Sequence, residues 1–121
     1  MSAHKDVIER YIEGFRRGDH SQVLSCLTDD VVWVLHGHLA VHGKAAFEAE
    51  IARDLFEGTP SLHVDRMVEE GDAVAVCGRG QVTRKGGEIA HFAFSELFLF
   101  AGSRICRLET WHVWTSSTAA L

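Results

Sequence analysis

From Asp6 to Arg17 the apolar positions Val7, Ile8, Tyr11, Ile12 and Phe15 recur at i, i+1, i+4, i+5 and i+8, the stripe of an amphipathic helix that Gly18 ends. Asp19 is placed to cap a second, short helix. Gln22 completes a capping-box pattern with it, and Val23, Leu24 and Leu27 repeat the helical spacing. Val31 to His36 is rich in β-branched and aromatic residues and reads as a strand, followed by a histidine-rich loop. Lys44 to Glu57 predicts a third helix that buries Phe47, Ile51, Leu55 and Phe56 and stops at Gly58 and Pro60.

The remainder reads as four strands, Leu62 to Val68, Ala73 to Arg84, Glu88 to Phe100 and Arg104 to Trp114. Gly71-Asp72, Gly86-Gly87 and Gly102-Ser103 join them with hairpin chemistry, so an antiparallel meander is expected. Helices gathered first and strands gathered last indicate an α+β fold in which a curved sheet wraps around helices. Thr115 to Leu121 reads as a polar tail that frays. No repeat, linker or low-complexity run interrupts the pattern, and residues 1–121 are expected to form a single domain.

Composition narrows the partners. With 46% apolar residues in 121, the chain can build a core without disulfides or a structural metal. Seventeen acidic residues against 12 basic ones, a formal charge of -5, leave no electrostatic footprint for nucleic acid or an anionic membrane. Cys26, Cys77 and Cys106 are an odd number without a CxxC pair, which suits free thiols in a reducing compartment. No signal-peptide core opens the sequence and no apolar run reaches the ~18 residues of a membrane span, so a cytoplasmic location is expected.

One strand breaks its own pattern. Phe92, Phe94, Glu96, Phe98 and Phe100 alternate onto one face, and the middle position is a carboxylate. Burying it unpaired among phenyl rings would cost several kcal/mol. Glu96 must therefore be protonated, paired, or open to a polar cavity, unless a bulge or sheet edge takes it to solvent.

The order RYIEGFRRG from Arg10, then LTDDVVWVLHG from Leu27, HGKAAF from His42 and SELFLFAGSRICRLETW from Ser95 resembles the NTF2-like superfamily, in particular its SnoaL-like and ketosteroid isomerase-like branch. The resemblance spans residues 5–114. It implies a conical α+β barrel, with three N-terminal helices packed on the concave side of a curved, mostly antiparallel sheet around an apolar pocket. Ketosteroid isomerases hold the substrate oxygen with a tyrosine and a protonated aspartate. The resemblance puts Tyr11 and Glu96 at those positions, the latter one methylene longer. It also puts Leu35 where those enzymes carry their catalytic aspartate. Leucine cannot accept a proton, so steroid isomerisation by the familiar route is not expected.

In the same reading Leu108, Thr110 and His112 of the last strand face the pocket, and His112 is the remaining proton acceptor. A hydrogen bond that merely closes the core is the plainer role for His112, as a mutual Tyr11–Glu96 bond would be for that pair. The expected walls are Phe15, Trp33, Leu35, Phe94, Phe98, Leu108 and Thr110, with His36 and His38 at the rim.

His36, His38 and His42 have an H-x-H-x3-H spacing that could attract a transition metal, although the helical first third does not suit a cupin-like barrel. Gly78-Arg79-Gly80 is not a dinucleotide fingerprint, since Thr83 replaces the third glycine and the segment is a strand; its glycines suit a sharp bend. On the outer face Leu97, Leu99, Trp111 and Val113 need a cover, which predicts a homodimer through the backs of the sheets.

The leading expectation is a protein that binds a small apolar molecule, as an isomerase- or cyclase-type enzyme moving a proton next to a carbonyl. Tyr11, Glu96 and His112 would act, with no cofactor. A non-catalytic binding or dimerisation module is the alternative, and a metal enzyme using the histidine cluster is the third reading.

Overall fold

The computed structural model describes residues 2–115, and the tail expected to fray lies outside them from residue 116 onward. The chain runs α1 (Ala3–Arg17), α2 (His20–Ser25), β1 (Leu27–Leu35), β2 (Leu39–His42), α3 (Lys44–Ile51), β3 (Phe56–Glu70), β4 (Ala73–Arg84), β5 (Ile89–Ala101) and β6 (Arg104–Trp114). The strands form one sheet in the order β2-β1-β6-β5-β4-β3. Every pairing is antiparallel except β1 with β6, which is parallel. This is the α+β architecture that the sequence predicts, with the expected meander as β3 to β6.

Ser2 caps α1 by accepting from the Lys5 N–H at 3.0 Å. Gly18 ends it at φ 68°, a left-handed cap that lets its own N–H and that of Asp19 return to the Phe15 and Gly14 carbonyls. Asp19 then accepts from the Gln22 N–H at 3.0 Å. The reciprocal half of the capping box is absent, because the Gln22 side chain donates to the Arg10 carbonyl at 2.8 Å and ties α2 to α1.

Ile8, Tyr11 and Ile12 of α1, Val23 of α2 and Phe47 of α3 are buried against Val74, Val76, Phe98, Phe100, Ile105 and Leu108 of the sheet. Register shifts within β1/β6, β3/β4 and β5/β6 bend the strands around these helices. In β4 the inner positions 78 and 80 are glycine. A Cβ at Gly78 would strike the His63 carbonyl oxygen and lie 2.6 Å from the Phe94 ring, and one at Gly80 would strike the Ser61 carbonyl oxygen and lie 2.7 Å from Phe92. Two phenyl rings thus lie where side chains would stand, and β3 closes over them.

Three expectations need correction. The histidine-rich loop is a hairpin, in which Leu39–His42 pairs back on Val32–Leu35 as β2. The third helix stops at Ile51 and not at Glu57, because Phe56 is drawn into register with Arg84 and packs near Trp114. The following strand therefore begins at Phe56 and contains Pro60. β3 is an edge strand with a register shift between Glu57 and Ser61, where a missing N–H breaks no central ladder. Among the described residues no helix is long and apolar enough to cross a membrane.

Candidate functional site

Between the helices and the concave sheet face lies a cavity of about 880 Å³. Phe15 of α1, Trp33 and Leu35 of β1, and Phe94 of β5 line it, as do Tyr11, Glu96, Thr110 and His112. The alternation that made Glu96 conspicuous thus ends in a cavity, neither at a sheet edge nor in solvent.

A short chain of hydrogen bonds crosses the wall. The Trp33 indole Nε1 donates to Thr110 Oγ1 at 3.1 Å, and the Thr110 hydroxyl donates to Glu96 Oε2 at 2.8 Å. Thr110 and Glu96 are direct cross-strand partners, and Leu35 is the β1 partner of Thr110. Burial pushes the Glu96 carboxyl up to about 7 against the pull of the Thr110 bond, which favours the charged form. Near neutral pH it is therefore divided between acid and carboxylate.

Tyr11 is 3% exposed, and its ring meets Phe15 and Phe98 edge to face. Its hydroxyl bonds neither Glu96 nor any other described residue, yet it is not sealed from the cavity. Burial first, then the nearby Glu96 and Cys26, raises its pKa well above the usual phenol value, so Tyr11 is a donor at neutral pH. The expected structural Tyr11–Glu96 bond is thus not made, and both groups keep hydrogen-bonding capacity toward the cavity.

His112 faces the cavity two cross-strand pairs from Glu96 and Thr110, toward the C-terminal end of β6, opposite Phe94. It stacks on Phe92 at 4.7 Å and meets Trp114 at 4.5 Å. Burial and then His38 lower its pKa, which keeps the imidazole neutral. His112 and Glu96 are diagonal neighbours across β5/β6, roughly 7–8 Å apart.

Other expected positions fall elsewhere. Phe98 and Leu108 are completely buried in the core behind the cavity wall, and Phe98 serves as a backing for Tyr11. His36 is on the outer face, stacked on Trp111 at 4.6 Å and bonded to Glu109 at 2.9 Å. The turn between β1 and β2 sends it away from the rim, whereas His38 lines the cavity as expected. His42 is exposed at the end of β2, so the histidine cluster does not converge, and the described residues contain no metal-holding group of His, Cys, Asp or Glu.

The mouth was not legible in the sequence. Residues 50–60 rim the cavity, with Arg53 paired to Glu50 and Lys85 of the β4–β5 turn paired to Asp54, both at 2.9 Å. No local signal marks the end of the helix, because Arg53 and Asp54 fall at the polar positions of the helical spacing Ile51, Leu55 and Phe56. A second hollow, of about 270 Å³, is lined mainly by outer-face residues such as His63, Arg79 and His91, apart from Tyr11 and Glu96.

The SnoaL-like domain model matches residues 8–108. An NTF2-like protein of unknown function from Burkholderia pseudomallei superposes with a TM-score of 0.84 at 25% identity, over 91% of this chain and 90% of that one. TerC, co-crystallised with polyporic acid, gives 0.81 at 26% identity over 90% of each chain. A putative polyketide cyclase from Xanthomonas campestris shares the fold, with a TM-score of 0.76 at 21% identity over 90% of this chain and 89% of that one. No curated protein matches the chain.

Proposed function

The chain belongs to the SnoaL-like domain family, with an NTF2-like fold, and from that premise we propose that it binds a small, largely apolar carbonyl compound and moves a proton next to the carbonyl. The observation that carries this reading is Glu96, a carboxyl ionising at about 7 on an apolar cavity wall, with the Tyr11 hydroxyl unengaged nearby. A carboxyl that is neutral at working pH can donate a hydrogen bond, and donors aimed at an oxygen that gains charge stabilise an enolate.

In this mechanism Tyr11 and protonated Glu96 donate to the substrate oxygen. His112, held neutral, takes the proton from the adjacent or vinylogous carbon. Returning it to another carbon of the enolate gives an isomer, whereas in a cyclisation the enolate carbon adds to a second carbonyl of the same molecule and the proton goes to the alkoxide formed there. Its diagonal offset from Glu96 leaves room for a carbonyl oxygen at one group and an acidic carbon at the other. Leu35 lines the cavity but has no proton-accepting atom, and the place of His112 beside Glu96 on the cavity wall supports it as the base. The mechanism calls for no cofactor. The complex of TerC with polyporic acid supports an organic ligand within this fold.

The test uses β-tetralone, an apolar ketone with exchangeable α-protons, followed in heavy water by NMR. The protein accelerates exchange, Glu96→Leu lowers the rate on the order of 10²-fold, and His112→Phe abolishes the acceleration while retaining binding. Binding without accelerated exchange would instead mean a non-catalytic ligand carrier.

The outer-face residues Trp111 and Val113 are 44% and 62% exposed beside Leu97 and Leu99, which supports a homodimer through this face. The free thiols of Cys26, Cys77 and Cys106 support a reducing, cytoplasmic location.

A further inference from the structure

The hydrogen-bond chain behind Glu96 has a direction fixed by donor chemistry. An indole N–H can only donate, so Thr110 Oγ1 must accept from Trp33. The Thr110 hydroxyl has a single proton, and Glu96 Oε2, at 2.8 Å, is its acceptor. Were Glu96 instead to donate from Oε2, Thr110 would accept twice and its own proton would have no acceptor among the described residues, in a site where Thr110 is 7% exposed. This arrangement favours Oε2 as the acceptor in both ionisation states of Glu96, with any carboxyl proton on Oε1.

Resting on the reading of Glu96 as the donor to a ligand oxygen, we propose that Trp33 and Thr110 are positioning residues that keep the acidic proton on Oε1, available to the ligand. Without this relay a neutral carboxyl could turn its proton toward the wall and offer the ligand only a carbonyl lone pair. Trp33 acts at one remove, by occupying the Thr110 oxygen and directing its proton to Glu96. The Trp33 ring is also held against Phe47 at 5.1 Å, which sets the indole direction from α3.

The experiment compares β-tetralone, whose oxygen can accept a hydrogen bond, with tetralin, which has the same rings and no oxygen. Carbon-13 labelling of glutamate follows the titration of Glu96 in the same samples. Thr110→Val lowers affinity for β-tetralone about tenfold, leaves tetralin unchanged and raises the Glu96 titration midpoint. Thr110→Ser restores both properties. Trp33→Phe frees the Thr110 oxygen and lowers β-tetralone affinity several-fold, again sparing tetralin. A variant that disturbs only packing would weaken both ligands alike, and that result overturns the relay. Wild-type β-tetralone affinity in Thr110→Val, alongside a loss in Glu96→Leu, also overturns it while leaving Glu96 as the donor. Wild-type affinity in Glu96→Leu removes the donor reading itself.

Discussion

Tyr11 of α1 and Phe98 of β5 meet edge to face, with ring centroids 5.4 Å apart and planes at 80°. Phe98 has no exposure and does not line the cavity, so its contribution to the site passes through the tyrosine it backs. Phe98→Ala should cost about 3–5 kcal/mol in urea unfolding, the range for removing a buried phenyl. Phe98→Leu, a smaller loss, should fold and weaken β-tetralone binding by letting the phenol ring drift; unchanged binding would show that other contacts hold Tyr11.

Glu96 makes the stability of the protein depend on pH. Its carboxyl ionises at about 7 when folded and at the ordinary 4.5 when unfolded. Between those values the unfolded chain gives up its proton first, so stability falls as pH rises through this window and levels off above it. Glu96→Gln removes the penalty while keeping an acceptor for Thr110. It should match wild type at about pH 4 and exceed it by up to roughly 3 kcal/mol at about pH 8. Equal stability at both values would mean that the carboxyl is not desolvated.

Exchange activity should follow a narrow bell. His112 must be neutral, and its pKa lies below the ordinary 6.5, whereas Glu96 must be protonated, which fails above about 7. In a rate profile corrected for buffer exchange, the maximum should fall between those limits, and Glu96→Gln should lose the alkaline limb. Continued acceleration well above neutrality in the wild type would assign the proton donation to Tyr11 alone.

Gly78 is where the sheet can least tolerate a methyl group. Gly78→Ala drives a Cβ into the His63 carbonyl and the Phe94 ring, and overpacking of this kind costs about 1–3 kcal/mol. Urea unfolding should show this loss. Gly37→Ala tests a different term, since nothing lies within 4 Å of its added Cβ but its φ is +82°.

The outer face provides a separate test. Trp111→Lys should convert the proposed dimer to monomer in sedimentation equilibrium without altering the cavity, because Trp111 projects from the opposite side of β6 from Thr110 and His112. A monomeric wild-type protein at micromolar concentration would remove the dimer proposal.

The meander was legible because β4, β5 and β6 alternate cleanly and their turns carry glycine, and the same alternation exposed Glu96. α1 was legible from its apolar stripe and from Gly18. The end of α3 was not, since Ile51, Leu55 and Phe56 satisfy a helical period that tertiary pairing of Phe56 with Arg84 overrides. The hairpin partner of β1 was hidden because Leu39–His42 is short, ends in His42 and follows His36 and His38, a run that reads as loop chemistry. Phe98 and Leu108 share the inward parity of Glu96 and Thr110, but parity distinguishes only faces. Whether an inward residue meets a cavity or another side chain depends on where Tyr11 and the helices sit, which local spacing does not encode.

The parallel pairing of β1 with β6 has a consequence for how the molecule comes into being. The bond from Trp33 to Thr110 joins residues 77 positions apart, and β1 has no second neighbour in the sheet until β6 arrives. Chains grow from the N-terminus at about 5–20 residues per second. β1 and β2 must therefore wait for several seconds as a two-stranded hairpin, with the β6-facing edge of β1 unpaired, while the meander is still being made. Closure over so long a loop is slow, and the nascent chain is most prone to misassociation during that interval. Chaperone dependence and truncation sensitivity should accordingly concentrate in β6, the strand whose arrival completes both the sheet and the wall that carries Glu96.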